Sequence, residues 1–373
     1  MTAKPHSFAA RVLAWHARHG RHDLPWQQPR TPYRVWLSEV MLQQTTVAAV
    51  IPYFHRFVAR FPDLASLAAA ELDEVLGLWQ GLGYYARARN LHACARRVQA
   101  EHGGELPASR EQLQALPGIG RSTAAAICAQ AHGQREAILD ANVRRLLARH
   151  SGEREWPGAS AAQKRLWAQA EARLPQAALP DYTQGVMDLG AQVCKARQPE
   201  CPACPVREDC AALAQGLTAS IPAPAPKKSR PRPQRHCRMW VHRRADGAIW
   251  LQRRPEQGLW GGLWSLPQSP PRDVSPPGDV PQPGEVGAAA STPAEAAPEA
   301  AADQGAPLPL LRHGFTHFDL EIQPWLVENT PANAVAEPAA VYTQAGGRWV
   351  APAELGDYGL PTAVRKILAT LPA

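Results

Sequence analysis

The chain has 373 residues, 45% of them hydrophobic and 20% charged, with 40 Lys+Arg against 33 Asp+Glu for a formal net charge of +7. That length suits two or three domains, each able to bury a core. The apolar content excludes a wholly disordered chain, and the lack of a Gly period excludes a collagen. No stretch approaches ~20 uncharged apolar residues, so no membrane-spanning helix is expected. The first thirty residues carry Lys4, Arg11, Arg18, Arg21 and Asp23 with no apolar signal core, which predicts a cytosolic protein. The basic balance fits a polyanionic partner. Without an export signal, any clustered members of the seven cysteines are expected to ligate a metal centre.

Residues 1–221 read as helical. Apolar residues recur at helical spacing at Phe8, Val12 and Trp15, at Val47, Val50, Ile51, Phe54, Phe57 and Val58, and at Leu72, Val75, Leu76 and Trp79. Breaks fall at Phe61-Pro62-Asp63 and Leu106-Pro107-Ala108. Residues 222–235 alternate Pro with Lys and Arg and predict an extended basic linker. From 236 to 373 the pattern predicts a smaller α+β domain. Strand-like runs flank the turn Ala245-Asp246-Gly247 and resume at Phe318–Leu326 and Arg348–Val350, and a helix covers Thr362–Leu371. Residues 268–307, rich in Pro and Ala and acidic, read as a loosely held insertion with too little apolar surface to order itself.

Four places carry chemistry. Glu39 is a solitary acid in the apolar run Trp36–Leu42, where burial would raise its pKa and keep a proton available; a buried Arg partner is the alternative. In Leu116-Pro117-Gly118-Ile119-Gly120-Arg121-Ser122-Thr123 the two glycines permit positive φ and close approach of a ligand to a helix N-terminus, suiting a phosphate; an ordinary tight helix connection fits as well. Asp140 opens a helix and serves either as an acid or as an N-cap. Cys194, Cys201, Cys204 and Cys210, spaced C-x6-C-x2-C-x5-C, can enclose a [4Fe–4S] cluster or a tetrahedral zinc.

The cysteine spacing resembles the cluster loop of the endonuclease III/MutY superfamily of DNA glycosylases, where it holds [4Fe–4S]. LPGIGRSTA resembles that superfamily's helix-hairpin-helix, and VWLSEVMLQQT with LDANVRRLLAR resembles the two catalytic segments of the MutY-type adenine DNA glycosylases. The resemblance implies a mainly α catalytic domain of two helical subdomains with an iron–sulfur loop at 194–210, followed by an α+β Nudix-like domain. It implies a structural [4Fe–4S] cluster and a monovalent cation at the hairpin. Glu39 would be the general acid that protonates adenine, Asp140 the stabiliser of the sugar cation, and Asn142 an orienting group. The family shows Gly where Ala141 stands. Ser122 replaces the lysine of the bifunctional relatives, implying a monofunctional enzyme.

Further residues follow from the same resemblance. Gln43 and Gln44 in one segment and Tyr84 in Gly81–Arg89 match the intercalating segments that fill the gap left by an extruded base, although Tyr84-Tyr85 also suits a buried aromatic pair. Arg87 and Arg89 would bind phosphates, Gly118, Gly120 and Ser122 the hairpin's phosphate, and Trp26 and Gln184 would line the adenine pocket. Lys195, Arg197 and Arg207 suit either phosphates or a solvated face. Leu311–Phe318 matches the loop that reads 8-oxoguanine, with Thr316 in place of the usual Ser and His317 beside it. The Nudix carboxylate signature is missing. The resemblance therefore implies a monomeric base-excision-repair enzyme, nucleoid-associated if bacterial, acting on duplex DNA with A:8-oxoguanine or A:G mispairs and not on membranes. A bifunctional glycosylase/lyase and a non-catalytic zinc-dependent DNA-binding module are the competing readings.

Overall fold

The computed structural model describes residues 7–226, 232–256, 258–273, 305–315, 317–329 and 346–372. The chain divides into two compact units, Met1–Ala70 with Ala86–Lys227, and Glu71–Tyr85 with Lys228–Ala373. No helix among the described residues is long and apolar enough to cross a membrane.

The first unit holds helices α1 (Phe8–His19), α2 (Pro32–Leu42), α3 (Val47–Arg60) and α4 (Leu64–Ala69); α5 (Leu72–Leu78) belongs to the second unit. The first unit continues with α6 (Ala86–Glu101), α7 (Arg110–Gln114), α8 (Arg121–His132), α9 (Ala141–Ser151), α10 (Ser160–Ala172), α11 (Leu179–Asp188) and α12 (Ala211–Ala214). Several helices start at side-chain caps that the sequence offers. Thr31 accepts from the Arg34 amide ahead of Pro32, and Asp63, after the Phe61-Pro62 break, forms a capping box with Ser66. One core joins Val12, Ala125, Val143, Leu146, Leu166, Val186 and Leu189, so α1, α8, α9, α10 and α11 pack as one body. A π-helical turn, Leu189–Val193, follows α11. A Cβ at Gly190 in this turn would lie 2.8 Å from the Asn142 carbonyl oxygen, so only glycine lets the turn approach the start of α9 this closely.

In the second unit β1 (Gln234–Arg244) turns through Asp246-Gly247 into β2 (Ile249–Arg253). The remaining described strands are β3 (Trp264–Ser265), β4 (Arg272–Asp273), β5 (Ala306–Pro307), β6 (Leu311–Gly314), β7 (Asp319–Asn329) and β8 (Gly347–Val350). β1 and β7 run parallel from Gln234↔Asp319 to Arg244↔Asn329; β2 and β4 pair antiparallel with β1, β5 and β6 with β7, and β3 and β8 with β2. The alternation of β1 buries Cys237, Met239 and Val241 against Leu320, Ile322 and, from α13 (Thr362–Leu368), Ala363, Val364 and Ile367. The ends of two sequence-read segments are strands. Gln234 and Arg235 of the linker open β1, while β4 and β5 lie within the bounds of the insertion. Residues 227–231 and 274–304 lie outside the described residues.

Candidate active site

Glu39 lies on α2 between buried Ser38 and Val40, yet itself keeps some accessible surface. Burial first, and the nearby Asp140 second, push its pKa up to about 8 against one opposing hydrogen bond, in which Gln130 Nε2 donates to Glu39 Oε1 at 3.2 Å. Among the described residues the hydrogen-bond partner of this carboxyl is an amide from α8 and not the buried Arg of the alternative reading.

Asp140 is the N-cap of α9, accepting from the Val143 amide at 2.7 Å. Burial raises its pKa as well, but the Val143 and Asn142 amides, Arg145 and Arg144 all favour its charged form. Two carboxyls thus sit in one desolvated site with unlike support. Asp140 has helix-end amides and two arginines that favour its charged form, Glu39 only a side-chain amide, so the two carboxyls differ in how well each can carry a charge. Ala141 is the first residue of α9, a helical position open to any L residue. Asn142 Oδ1 accepts from Arg145, which also donates to the carbonyls of Gly190 and Cys194.

The hairpin precedes α8. Gly118 has φ of +76°, and a Cβ there would sit 2.8 Å from Asn90 Cβ. Gly120 differs from expectation: its backbone is extended, open to any residue, and nothing lies within 4 Å of where its Cβ would stand. As N-cap it offers no side-chain acceptor, which leaves the first amides of α8 available to a ligand. Ser122 Oγ accepts from the Leu139 amide at 3.0 Å and so ties the hairpin to the residue before Asp140.

Three candidates are engaged inside the fold. Arg87 does not face phosphate: it is 8% exposed, and its guanidinium donates to the carbonyls of Val40, Met41 and Gln43 and to Thr45 Oγ1 at 2.6–3.1 Å, closing the C-terminal end of α2. Gln184 is buried and donates to Asp188 Oδ1 at 2.7 Å, because Asp188, wholly buried, needs donors from Gln184 and Arg21. Trp26 is buried edge-on against Phe54 at 5.4 Å, a core position.

Other candidates lie at the surface. Gln44, directly after the C-cap Gln43 of α2, is exposed with φ of +58°. Tyr84, in the second unit, is 53% exposed with φ of +50°, against the buried-aromatic alternative. Positive φ is uncommon for residues other than glycine and is held where the surroundings impose it. Arg197 and Arg207 are exposed, whereas Lys195 pairs with Glu200 at 2.5 Å. In the second unit the β6–β7 turn closes through the Phe315 amide donating to the Phe318 carbonyl at 2.8 Å, and the two rings stack at 4.7 Å. His317 projects from this turn, exposed; Thr316 lies outside the described residues.

Cys194, Cys201, Cys204 and Cys210 line one cavity, walled by Leu146, Val193, Pro199 and Val206. The other three cysteines each act on Cys204, whose thiol is pushed up to about 11, mainly by burial. Four sulfurs around an apolar space form a donor set that fits a thiolate-ligated centre. Among the described residues no group of three or more His, Cys, Asp or Glu is arranged to hold a single metal ion. Arg149, 3% exposed, reaches into the loop, donating to the carbonyls of Lys195 and Ala196 and, at 3.4 Å, to Cys194 Sγ.

Sequence reasoning missed Gln130, Asp188 and Arg149. The signal for Gln130 is that it is the one amide in the small-residue helix RSTAAAICAQAH.

Residues 37–172 match the HhH-GPD superfamily of base excision DNA repair proteins, and residues 238–370 match the NUDIX domain. Among solved structures, a thermostable thymine-DNA glycosylase superposes with a TM-score of 0.50 at 28% identity, covering 56% of this chain and 95% of that one. The adenine DNA glycosylase of Rattus norvegicus is 32% identical over an alignment covering 97% of this chain and 77% of the relative. That of Buchnera aphidicola subsp. Acyrthosiphon pisum is 38% identical across 70% of this chain and 74% of its own length. On this likeness, which spans both units, the chain belongs to the adenine DNA glycosylase family.

Proposed function

We propose that this chain, an adenine DNA glycosylase of base excision repair, removes adenine paired with 8-oxoguanine or guanine by hydrolysing its N-glycosidic bond. The observation that carries the reading is the pair of desolvated carboxyls, Glu39 with its pKa pushed up to about 8 and Asp140 at the start of α9, where amides and arginines favour its charged form.

Glu39 donates its proton to the extruded adenine. The bond from sugar to base breaks with its electron pair going to the base, and the Asp140 carboxylate shields the cationic sugar that remains. The Glu39 carboxylate then takes a proton from the attacking water. Ser122 has no amine to form an imine and its hydroxyl is bound to the Leu139 amide, which supports a monofunctional reaction. Gln44 in the first unit and Tyr84 in the second are each candidates to wedge into DNA when adenine is extruded; the open amides of α8 would receive a backbone phosphate, and the hairpin would hold a monovalent cation. Cys194, Cys201, Cys204 and Cys210 would hold a [4Fe–4S] cluster, which supplies structural rigidity to the loop that Arg197 and Arg207 bring to DNA. Thr316 and His317 read the opposite 8-oxoguanine.

Single-turnover cleavage of duplexes pairing A with 8-oxoguanine, G or T tests this reading. Fast release of adenine from the first two and slow release from the third is expected. Equal rates on all three would overturn the specificity.

A further inference from the structure

α8 buries Ala124, Ala125, Ala126, Ile127, Cys128, Ala129 and Gln130 in succession. In that wall of small and apolar groups a glutamine is costly unless its amide is used. That amide donates a hydrogen bond to Glu39 Oε1, 91 residues away in sequence and 3.2 Å away in space. α2 and α8 pack face to face, so the donor and the carboxyl are both fixed by helix backbones and not by loops.

We infer that Gln130 is the positioning residue for the proton donor: its amide holds Glu39 Oε1 as the anionic end of the carboxyl and assigns the transferable proton to Oε2. The inference rests on the reading of Glu39 as the acid. An N–H donated to Oε1 opposes protonation of that oxygen, because the same lone pairs are already engaged. The bond also strengthens as the proton leaves, since a carboxylate accepts more strongly than a carboxylic acid. Gln130 therefore stabilises the transition state of proton transfer more than the ground state. Of the charged groups around Glu39, Asp140 raises its pKa. From α6, Arg87 is committed to the backbone of Val40, Met41 and Gln43. On α2 itself Arg34 is bound to the Pro25 carbonyl, and His55, Arg56 and Arg60 of α3 are exposed. From α8, Arg121 pairs with Glu171 at the surface.

The test is the pH dependence of single-turnover adenine excision by the full chain carrying Gln130→Met, a residue of like length without a donor. With the opposing hydrogen bond gone, the alkaline limb of the profile should move up by roughly 0.5–1 pH unit and the plateau should fall about threefold, because a weaker acid stays protonated longer and donates less readily. Gln130→Asn, which keeps the amide but withdraws it by one methylene, should shift the limb in the same direction and serves if the Met variant does not fold. An unmoved limb in a folded variant, whatever happens to the rate, would overturn the inference. Glu39→Gln run in parallel separates the two claims. If it stays active, the reading of Glu39 fails; if it is inactive while the Gln130 variants keep the parent limb, only the role of Gln130 fails.

Discussion

Burial raises the pKa of both Glu39 and Asp140, and the helix-end amides and arginines at Asp140 oppose that rise where Glu39 has only the Gln130 amide. Two consequences follow at this scale. Excision should slow as pH rises through about 8, where Glu39 loses its proton. A pH–rate profile under single-turnover conditions checks this, and an alkaline limb near the ordinary carboxylate range would contradict it. The second consequence concerns stability. The folded protein holds this proton more tightly than the unfolded chain, whose Glu titrates near 4.5, so Glu39 disfavours folding increasingly as pH rises from that value toward 8. Glu39→Gln should therefore lower the excision rate by about 10²–10⁴-fold and raise stability at neutral pH by about 1–3 kcal/mol. Urea denaturation of parent and variant at acidic and neutral pH measures the difference, which should shrink in acid. Equal stability at both pH values would mean that the carboxyl is not desolvated.

At the scale of elements, α2 and α9 place the two acids, and each is fastened by an arginine that faces inward. Arg87 closes the end of α2 with four short contacts to oxygen atoms of Val40, Met41, Gln43 and Thr45. Arg87→Ala should destabilise the protein by about 2–4 kcal/mol, because it strands several buried carbonyls, while leaving the salt dependence of DNA binding unchanged. A shallower salt slope would return Arg87 to phosphate binding. From sequence alone an Arg near an exposed Tyr reads as a DNA contact, since nothing local reports carbonyls more than forty positions away. The same limit hid Gln130 and the Arg149 clamp on the cysteine loop. What the sequence carries well is local: the Asp63 cap after Pro62, the Asp246-Gly247 turn and the solitary acid of α2 each follow from neighbours within a turn or two. The two-residue strands β4 and β5 are too short for any period to show, and they exist through pairing with β1 and β7. In the cysteine loop, Cys204→Ser should abolish bound iron and visible absorbance in protein purified without oxygen. Zinc at one equivalent with no iron would contradict the cluster.

The molecule as a whole joins a helical unit that carries the two acids to a sheet unit that carries Tyr84 and the His317 turn. On the proposed function, the first would carry the chemistry and the second would read the opposite base. His317→Ala and Thr316→Ala should each cut excision opposite 8-oxoguanine by up to about tenfold, the worth of one hydrogen bond, and change excision opposite G by less. Equal loss on both duplexes would assign that loop to general DNA binding. The chemistry itself is tested most directly by measuring free adenine released in a single turnover from an adenine-mispaired duplex by the parent chain and by Glu39→Gln. The account predicts stoichiometric release by the parent and a rate at least about a hundredfold lower for the variant, and comparable release by both proteins would contradict it.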